Sequence, residues 1–320
     1  MRLAASRQPH HLSRLLPTSI RPPQASLRFS TCRANHSPRL LEHHHMAPAA
    51  SDSFVRYDAA EALQEQYRSA FLSWKALPDA QRQDTAVPRP HLITFESTPT
   101  FTLGRRQDDL TPAQASRLTQ NLDVDLRGRR NPVVETGYVP DVKKTNRGGL
   151  TTYHGPGQLV IWPVVDMHSP LYARFGVSSY AAHLENTTRR LLAEQFGIQT
   201  YTNPDEPGVW VRSAKAAGTG GGAEYKIAAL GVHHRRYVTA LGIAVNIDVP
   251  VTGSESINPW ARFVPCGLEG KLVTSVAAET ETLGRGAGMR GPWDLAAIAA
   301  QWARIFEDGL LDPEKRVLAN

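Results

Sequence analysis

Residues 54–77, FVRYDAAEALQEQYRSAFLSWKAL, place Leu63, Tyr67, Phe71 and Trp74 at spacings of 4, 4 and 3. That period puts one apolar face on a helix, and Pro78 ends it. A second helix is predicted over 178–197. There Tyr180, Leu184, Thr188, Leu191 and Leu192 share a face, a serine at 178 or 179 can cap the start, and Gly197 can close the end. A third is predicted over 292–310, with Pro292 at its first position. Between these helices the pattern turns to short apolar runs of strand type. HLITFE (91–96) reads as a buried strand with TPTFTLGR at its exit, GVWV (208–211) as another, and 226–249 as two adjacent strands. Residues 133–165 are strand-like runs broken by glycine and proline, and 107–131 read as a short helix and a loop. The stretches 78–90, 213–225 and 252–263 read as loops. Irregular interleaving of helices with hairpin-like strand pairs predicts an α+β fold with a mixed sheet, and no internal repeat is visible.

Composition narrows this picture. The chain has 320 residues, 41% of them hydrophobic, enough for one large globular domain or two small ones. No apolar run approaches the roughly 18 residues of a membrane span. Of the +6 net charge, seven arginines without any acidic residue put +7 in residues 1–41, leaving −1 for the remainder. The basic excess therefore belongs to a tail, which argues against a nucleic-acid binder. An Arg-, Ser- and Leu-rich tail without acids fits a mitochondrial targeting sequence, and RFST (28–31) has the look of a processing site. A disordered basic arm is the alternative. Residues 1–46 are expected to be targeting sequence and linker. The histidine triplet His43, His44 and His45 is read as part of that linker, with no scaffold to orient it, so no metal site is expected.

The chain has two cysteines, Cys32 in the tail and Cys266. Removal of the tail leaves one, which excludes an intrachain disulfide and a cysteine-based zinc site and suits a reducing compartment. Cys266 stands between Pro265 and Gly267, a setting that disfavours a strand or helix interior and suits a bend. A nucleophilic thiol needs a cationic neighbour to become thiolate. Lys226, at the head of the apolar run KIAALGV, is the candidate. Glycines and one proline surround Arg147, Tyr153 and His154 in RGGLTTYHGPGQLVIWP (147–163). Gly148 and Gly149 would allow a ligand to approach the backbone closely. A tight turn with a surface histidine is the plain alternative. GTGGG (218–222) lacks phosphate-loop spacing, and adjacent His233 and His234 would point to opposite faces of a strand.

Taken together, RGGLTTYHGPGQLVIWP, GVWV, KIAALGV, VTALGIAVNI and FVPCGLEGKLVTS, with TPTFTLGR before them, resemble the lipoyl(octanoyl) transferase family in its motif order, over roughly residues 54–280. The resemblance implies a biotin/lipoate protein ligase-like catalytic domain over 54–312, a mixed sheet flanked by helices. It implies transfer of an octanoyl group from octanoyl-acyl carrier protein to a lysine of lipoyl domains, in 2-oxoacid dehydrogenases and the glycine cleavage H protein, in the mitochondrial matrix and without a cofactor. The family's nucleophile falls on Cys266 and its thiol-activating lysine on Lys226. Its substrate-binding segments fall on Arg147, Gly148, Gly149, Leu150, Thr151, Thr152, Tyr153 and His154, on Ala229, Leu230 and Gly231, and on Gly242, Ile243 and Ala244. Leu241 departs from the pattern, since the family commonly has histidine there. Gly148, Gly149 and Gly231, with the small residues 228, 229 and 244, are expected to leave room for the acyl chain. Basic patches for acidic partners are expected at Lys143, Lys144 and Arg147, or at Arg235 and Arg236. Two rivals are an ATP-using ligase, against which the P-C-G cysteine counts, and a non-catalytic acyl-carrier or lipoyl-domain binding module, against which the thiol–lysine pair counts.

Overall fold

The computed structural model describes residues 39–50, 52–126, 133–213, 223–263, 272–283 and 293–316. In chain order the elements are β1 (Glu42–His45), α1 (Tyr57–Ala76), α2 (Asp79–Gln83), β2 (His91–Phe95), β3 (Thr100–Leu103), α3 (Pro112–Leu118), β4 (Leu122–Leu126), β5 (Val133–Tyr138), β6 (Asp141–Lys144), β7 (Thr151–His154) and β8 (Gln158–Val164). They continue with α4 (Val177–Phe196), β9 (Tyr201–Asn203), β10 (Glu206–Ser213), β11 (Ala223–Arg235), β12 (Val238–Asn246), β13 (Leu272–Val273), α5 (Val276–Thr282) and α6 (Leu295–Leu311).

The main sheet runs β1-β2-β8-β12-β11-β10-β9, with β13 added beside β11. It is mixed: β1 joins β2 and β13 joins β11 in parallel, and the other pairs are antiparallel. One small sheet has the order β6-β3-β7, and β4 pairs with β5 in another. Strand β4 lies where sequence predicts a loop, because its LDVDL alternation is too short and too acidic to stand out.

Every residue of β8 is buried, because both faces of the sheet are covered. On one face Leu159, Ile161, Val209, Ile227, Ile243 and Val245 pack against α4 and α6. On the other, Ile93, Phe95, Val160, Trp162, Val164 and Ala244 meet Tyr57, Ala60 and Phe71 of α1. Helix α1 buries Tyr57, Ala60, Gln64 and Phe71, so of the predicted stripe only Phe71 is fully buried while Leu63, Tyr67 and Trp74 are half-buried; the Gln64 Oε1 accepts the Leu241 N–H at 2.5 Å. Helix α4 follows the predicted face and ends on Gly197 in the left-handed region, φ 67°. Its N-cap is Gly176, with no side-chain cap from the serines. Helix α6 starts later than predicted, with Asp294 as the cap that accepts from Ala297 N–H.

The histidine triplet is corrected by this architecture. His43, His44 and His45 lie on β1, registered in parallel with β2. The strand is held further by Leu41 N–H, which donates to Glu307 Oε1 of α6 at 2.9 Å. Residues 41–46 therefore belong to the folded unit, and the scaffold that the sequence did not reveal is the free edge of β2. Among the described residues, no helix is long and apolar enough to cross a membrane.

Candidate active site

A pocket opens on the α1 face of the sheet, where β8, β12 and β11 run side by side. Its wall is built by Ala229, Leu230 and Gly231 of β11, Leu241, Gly242, Ile243 and Ala244 of β12, Thr152 and His154 of β7, and Arg147. Tyr57 of α1 and Trp162 of β8 complete it, and the whole encloses about 380 Å³, part of it open to solvent. Trp162 lies within a motif singled out in the sequence, but its strand face was not assigned. Tyr57 belongs to a buried helical series with Ala60, Gln64 and Phe71, which the polar Gln64 hides from a search for apolar periodicity.

Four residues of the 147–163 motif, Arg147, Thr152, His154 and Trp162, meet here, and the rest stand elsewhere. Arg147 is buried, its guanidinium donating to Thr102 Oγ1 at 2.9 and 3.2 Å, to Thr102 O at 2.5 Å and to Gly148 O at 3.0 Å. It leans on Gly231, where an added Cβ would lie 2.8 Å from the Arg147 Cδ. The space left by that glycine is thus taken by the arginine stem rather than by an open cavity. Thr151 faces Gln107, whose Oε1 accepts both its N–H and its hydroxyl. Tyr153 is enclosed with Phe101, Trp260 and Phe263, away from the pocket wall. Gly148, Gly149 and Leu150 are not among the lining residues. Ala228 points into the α4–α6 core, not the pocket.

His154 is fixed by a chain of amides. Gln158 Nε2 donates to Tyr153 O and to Asn246 Oδ1, so its Oε1 faces His154 Nδ1 at 2.8 Å. The Nδ1 therefore carries the proton, and Nε2 keeps its lone pair. Asn246 in turn donates to Thr274 O, and Thr274 N–H donates to Lys226 O. Burial pushes the His154 imidazole down to about 4, so the ring is neutral at physiological pH; the Gln158 hydrogen bond opposes the shift and Arg147 adds to it. The ring stacks on Tyr57 with centroids 5.7 Å apart. Burial, then the Glu61 charge, push the Tyr57 phenol above its ordinary range.

Lys226 reaches this face through a bulge. Val209 pairs with Ala228 and Trp210 with Lys226, which leaves Ile227 as the extra residue. Ile227 and Ala228 both enter the α4–α6 core. Strand alternation on either side of the bulge then puts Lys226 and Ala229 on the side of β11 away from that core; Ala229 lines the pocket, and Lys226 is not among its lining residues. A regular strand would have sent Lys226 into the core with Ala228. The Lys226 ammonium donates to Pro207 O at 3.2 Å and stands over the Trp210 ring. Glu185 Oε1 accepts the Gly208 N–H at 2.7 Å; burial pushes this carboxyl up, while the Gly208 N–H and Lys226 pull it down.

Cys266 lies outside the described residues. The chain on either side of it is described. Phe263 packs against Phe101 and Trp260, and Val273 is the register partner of Lys226. Thr274 and Ser275 have structural roles, the first donating to Glu279 Oε1 at 2.6 Å and the second capping α5. At the expected basic patch of 143–147, Lys144 stays largely exposed and Lys143 is partly buried. Lys143 and Lys144 face Glu61 and Asp109, and Arg147 is buried.

A partly open pocket with Arg147 buried in its wall, on a mixed sheet covered by helices on both faces, is the candidate site of the fold. The family described as the lipoyl protein ligase A/B catalytic domain matches residues 76–287. The mitochondrial octanoyl-[acyl-carrier-protein]:protein N-octanoyltransferase of Danio rerio is 34% identical over 227 residues, covering 71% of this chain and 80% of that protein. The octanoyltransferase of Cellvibrio japonicus is 31% identical over 204 residues, 64% of this chain and 75% of the relative. A solved structure of P. falciparum LipL1 with lipoate aligns at 9% identity and TM-score 0.39, covering 88% of this chain and 74% of that one. The chain belongs to the lipoyl(octanoyl) transferase family, a family of acyltransferases.

Proposed function

We propose that this protein transfers an octanoyl group from octanoyl-acyl carrier protein to a lysine of lipoyl domains, through a thioester on Cys266. The observation that carries the reading is the bulge at Ile227, which turns Lys226 onto the face of β11 that also presents Ala229 and Gly231 to the pocket. In the first step the Cys266 thiolate attacks the donor thioester carbonyl, and the carrier thiolate leaves. In the second the acceptor amine attacks the acyl-enzyme, the amide forms and Cys266 leaves as thiolate. The departing carrier thiolate takes a proton from the Lys226 ammonium in the first step, and the neutral Lys226 amine takes the proton lost by the acceptor amine in the second. Thioester exchange is nearly isoenergetic and amide formation is downhill, so the route needs no nucleotide.

The acyl chain is assigned to the pocket walled by Tyr57, Trp162, Leu241 and Ala244, and the neutral His154 presents a lone pair there instead of a charge. Leu241 makes that wall apolar where the family commonly has histidine. Acceptors are the lipoyl domains of 2-oxoacid dehydrogenases and the glycine cleavage H protein. The place of action is the mitochondrial matrix, reached through the arginine-rich tail; the mitochondrial location named for the Danio rerio relative supports this reading.

The experiment is incubation with octanoyl-acyl carrier protein in the absence of ATP, followed by intact-mass measurement. Wild type is expected to gain one octanoyl group and pass it to a lipoyl domain, and Cys266→Ala to do neither. Transfer at the wild-type rate by the Cys266→Ala variant would falsify the thioester route.

A further inference from the structure

Glu42, His44 and His91 bring three ligand atoms together on the edge of the main sheet, within 4.8 Å of one another. The register explains the meeting. Glu42 and His91 are partners across the parallel pair β1–β2, and His44 lies two residues on, on the same face as Glu42. His44 Nε2 is 3.3 Å from His91 Nδ1, and Glu42 Oε2 is 3.5 Å from that same Nδ1. Ligands at 2.0–2.1 Å from a tetrahedral zinc ion stand about 3.3–3.4 Å apart along each edge. These two spacings are therefore already near those of a tetrahedral site.

The surroundings orient the ligands. Arg89 Nη1 takes Glu42 Oε1 at 2.8 Å, which leaves Oε2 turned to the histidines. The Tyr67 ring lies flat on His91, with centroids 3.8 Å apart and planes 7° apart, and stacks on His44 as well. Tyr67 OH is 3.2 Å from His44 Nε2, beside the position a fourth ligand would take. His43 and His45 point the other way, both to Thr94 Oγ1, at 2.8 and 2.9 Å. Only one member of the triplet can therefore join the cluster.

We propose that Glu42, His44 and His91 bind one divalent transition metal ion, zinc by the nitrogen–oxygen character of the set, and that the ion pins strand β1 to the sheet. Binding replaces the proton shared by the two facing ring nitrogens, and water or the Tyr67 hydroxyl closes the fourth position. The site is structural, since β1 and Lys226 on β11 are separated by β2, β8 and β12 in the sheet.

The test uses the full chain, prepared without a polyhistidine tag and freed of metal by chelation. Zinc is then titrated calorimetrically, and cobalt is added separately for its visible spectrum. One equivalent of zinc, a higher thermal midpoint with zinc, and the intense d–d absorption of four-coordinate cobalt are expected. His44→Ala and Glu42→Gln should each weaken binding roughly tenfold or more. His43→Ala, on the other face of the same strand, should leave it unchanged. Equal loss in His43→Ala and His44→Ala would mean that a loose histidine run binds the ion and would overturn the site. So would the absence of stoichiometric binding by the wild type, whose fold needs no substitution to be trusted.

Discussion

The Lys226 ammonium stands 4.5 Å from the centroid of the Trp210 ring, and Trp210 is its cross-strand partner at the bulge. The indole holds the lysine head group on the pocket face by attraction worth about 0.5–2 kcal/mol. If that ammonium stabilises the Cys266 thiolate, Lys226→Ala should slow iodoacetamide alkylation at neutral pH. The pH midpoint of alkylation should move upward, each unit corresponding to about 1.4 kcal/mol of lost stabilisation. Lys226→Arg should keep more of the alkylation than of the transfer, because the guanidinium keeps the charge but gives up no proton. An unchanged midpoint in Lys226→Ala would remove the lysine from thiol activation.

Gly231 and Gly148 should respond in opposite ways to the same methyl group. In Gly231→Ala the new Cβ would meet Arg147 Cδ at 2.8 Å, and the arginine is held by Thr102 and cannot retreat freely. A loss of about 1–3 kcal/mol in urea unfolding is expected, with weaker octanoyl transfer. In Gly148→Ala the Cβ would meet nothing within 4 Å, and stability should change by less than about 0.5 kcal/mol. Similar stabilities for the two variants would sink the assignment of Gly231 as the rest of the arginine stem.

Residues 1–38 and 1–46 differ in what their removal takes from the fold. The shorter deletion leaves Leu41 and β1 in place and should unfold at nearly the full-length temperature. The longer one removes the β1–β2 pairing, the buried Leu41 and the N–H that satisfies the buried Glu307 carboxylate. It should be less stable by about 2–4 kcal/mol. If the arginine-rich tail is the import signal, neither truncated form should enter mitochondria. Processing is then expected before Arg39, so that β1 survives. Equal melting temperatures for the two truncations would show that β1 contributes nothing.

The amphipathic helices and the central strands were legible because their burial is written in local periodicity: Tyr180, Leu184, Thr188 and Leu191 on α4, and the two apolar runs that became β11 and β12. The pocket was legible in part, through RGG-x-x-TYHGPGQ and the β12 glycine. Its remaining walls come from contacts distant in sequence. Tyr57 sits at a helix start and gains its role only where α1 crosses β8. The bulge at Ile227 has no local mark, since KIAALGV reads as an unbroken strand. The histidine triplet was unreadable for a similar reason. Its partner His91 is 47 residues from His44, and the ordering edge belongs to another strand.

His154 and His183 should make the protein acid-sensitive above the range where carboxylates titrate. Both rings are buried and neutral, held down to about 4, by burial first in each case. For His183 the Phe306 carbonyl accepts from Nε2 at 3.0 Å and opposes the shift, while Arg316 adds to it. In the unfolded chain both return to about 6.5. Between about pH 6.5 and 4 the unfolded state therefore binds more protons than the native state. Stability then rises with pH across that window and falls as pH drops through it, by about 1.4 kcal/mol per unit for each ring. Above about 6.5 the contribution is complete, and each ring accounts for ~3 kcal/mol of what is lost by pH 4. Urea unfolding at pH 7, 6 and 5 should show this slope. His183→Gln, whose amide can still donate to the Phe306 carbonyl but does not titrate, should flatten it by about one proton. The variant starts less stable, because it gives up the stacking on Phe306 at 4.4 Å, so the slope and not the midpoint is the quantity to compare. A slope identical to wild type would mean that His183 is protonated in the native state at pH 5, against its burial beneath Phe306 and Gly309.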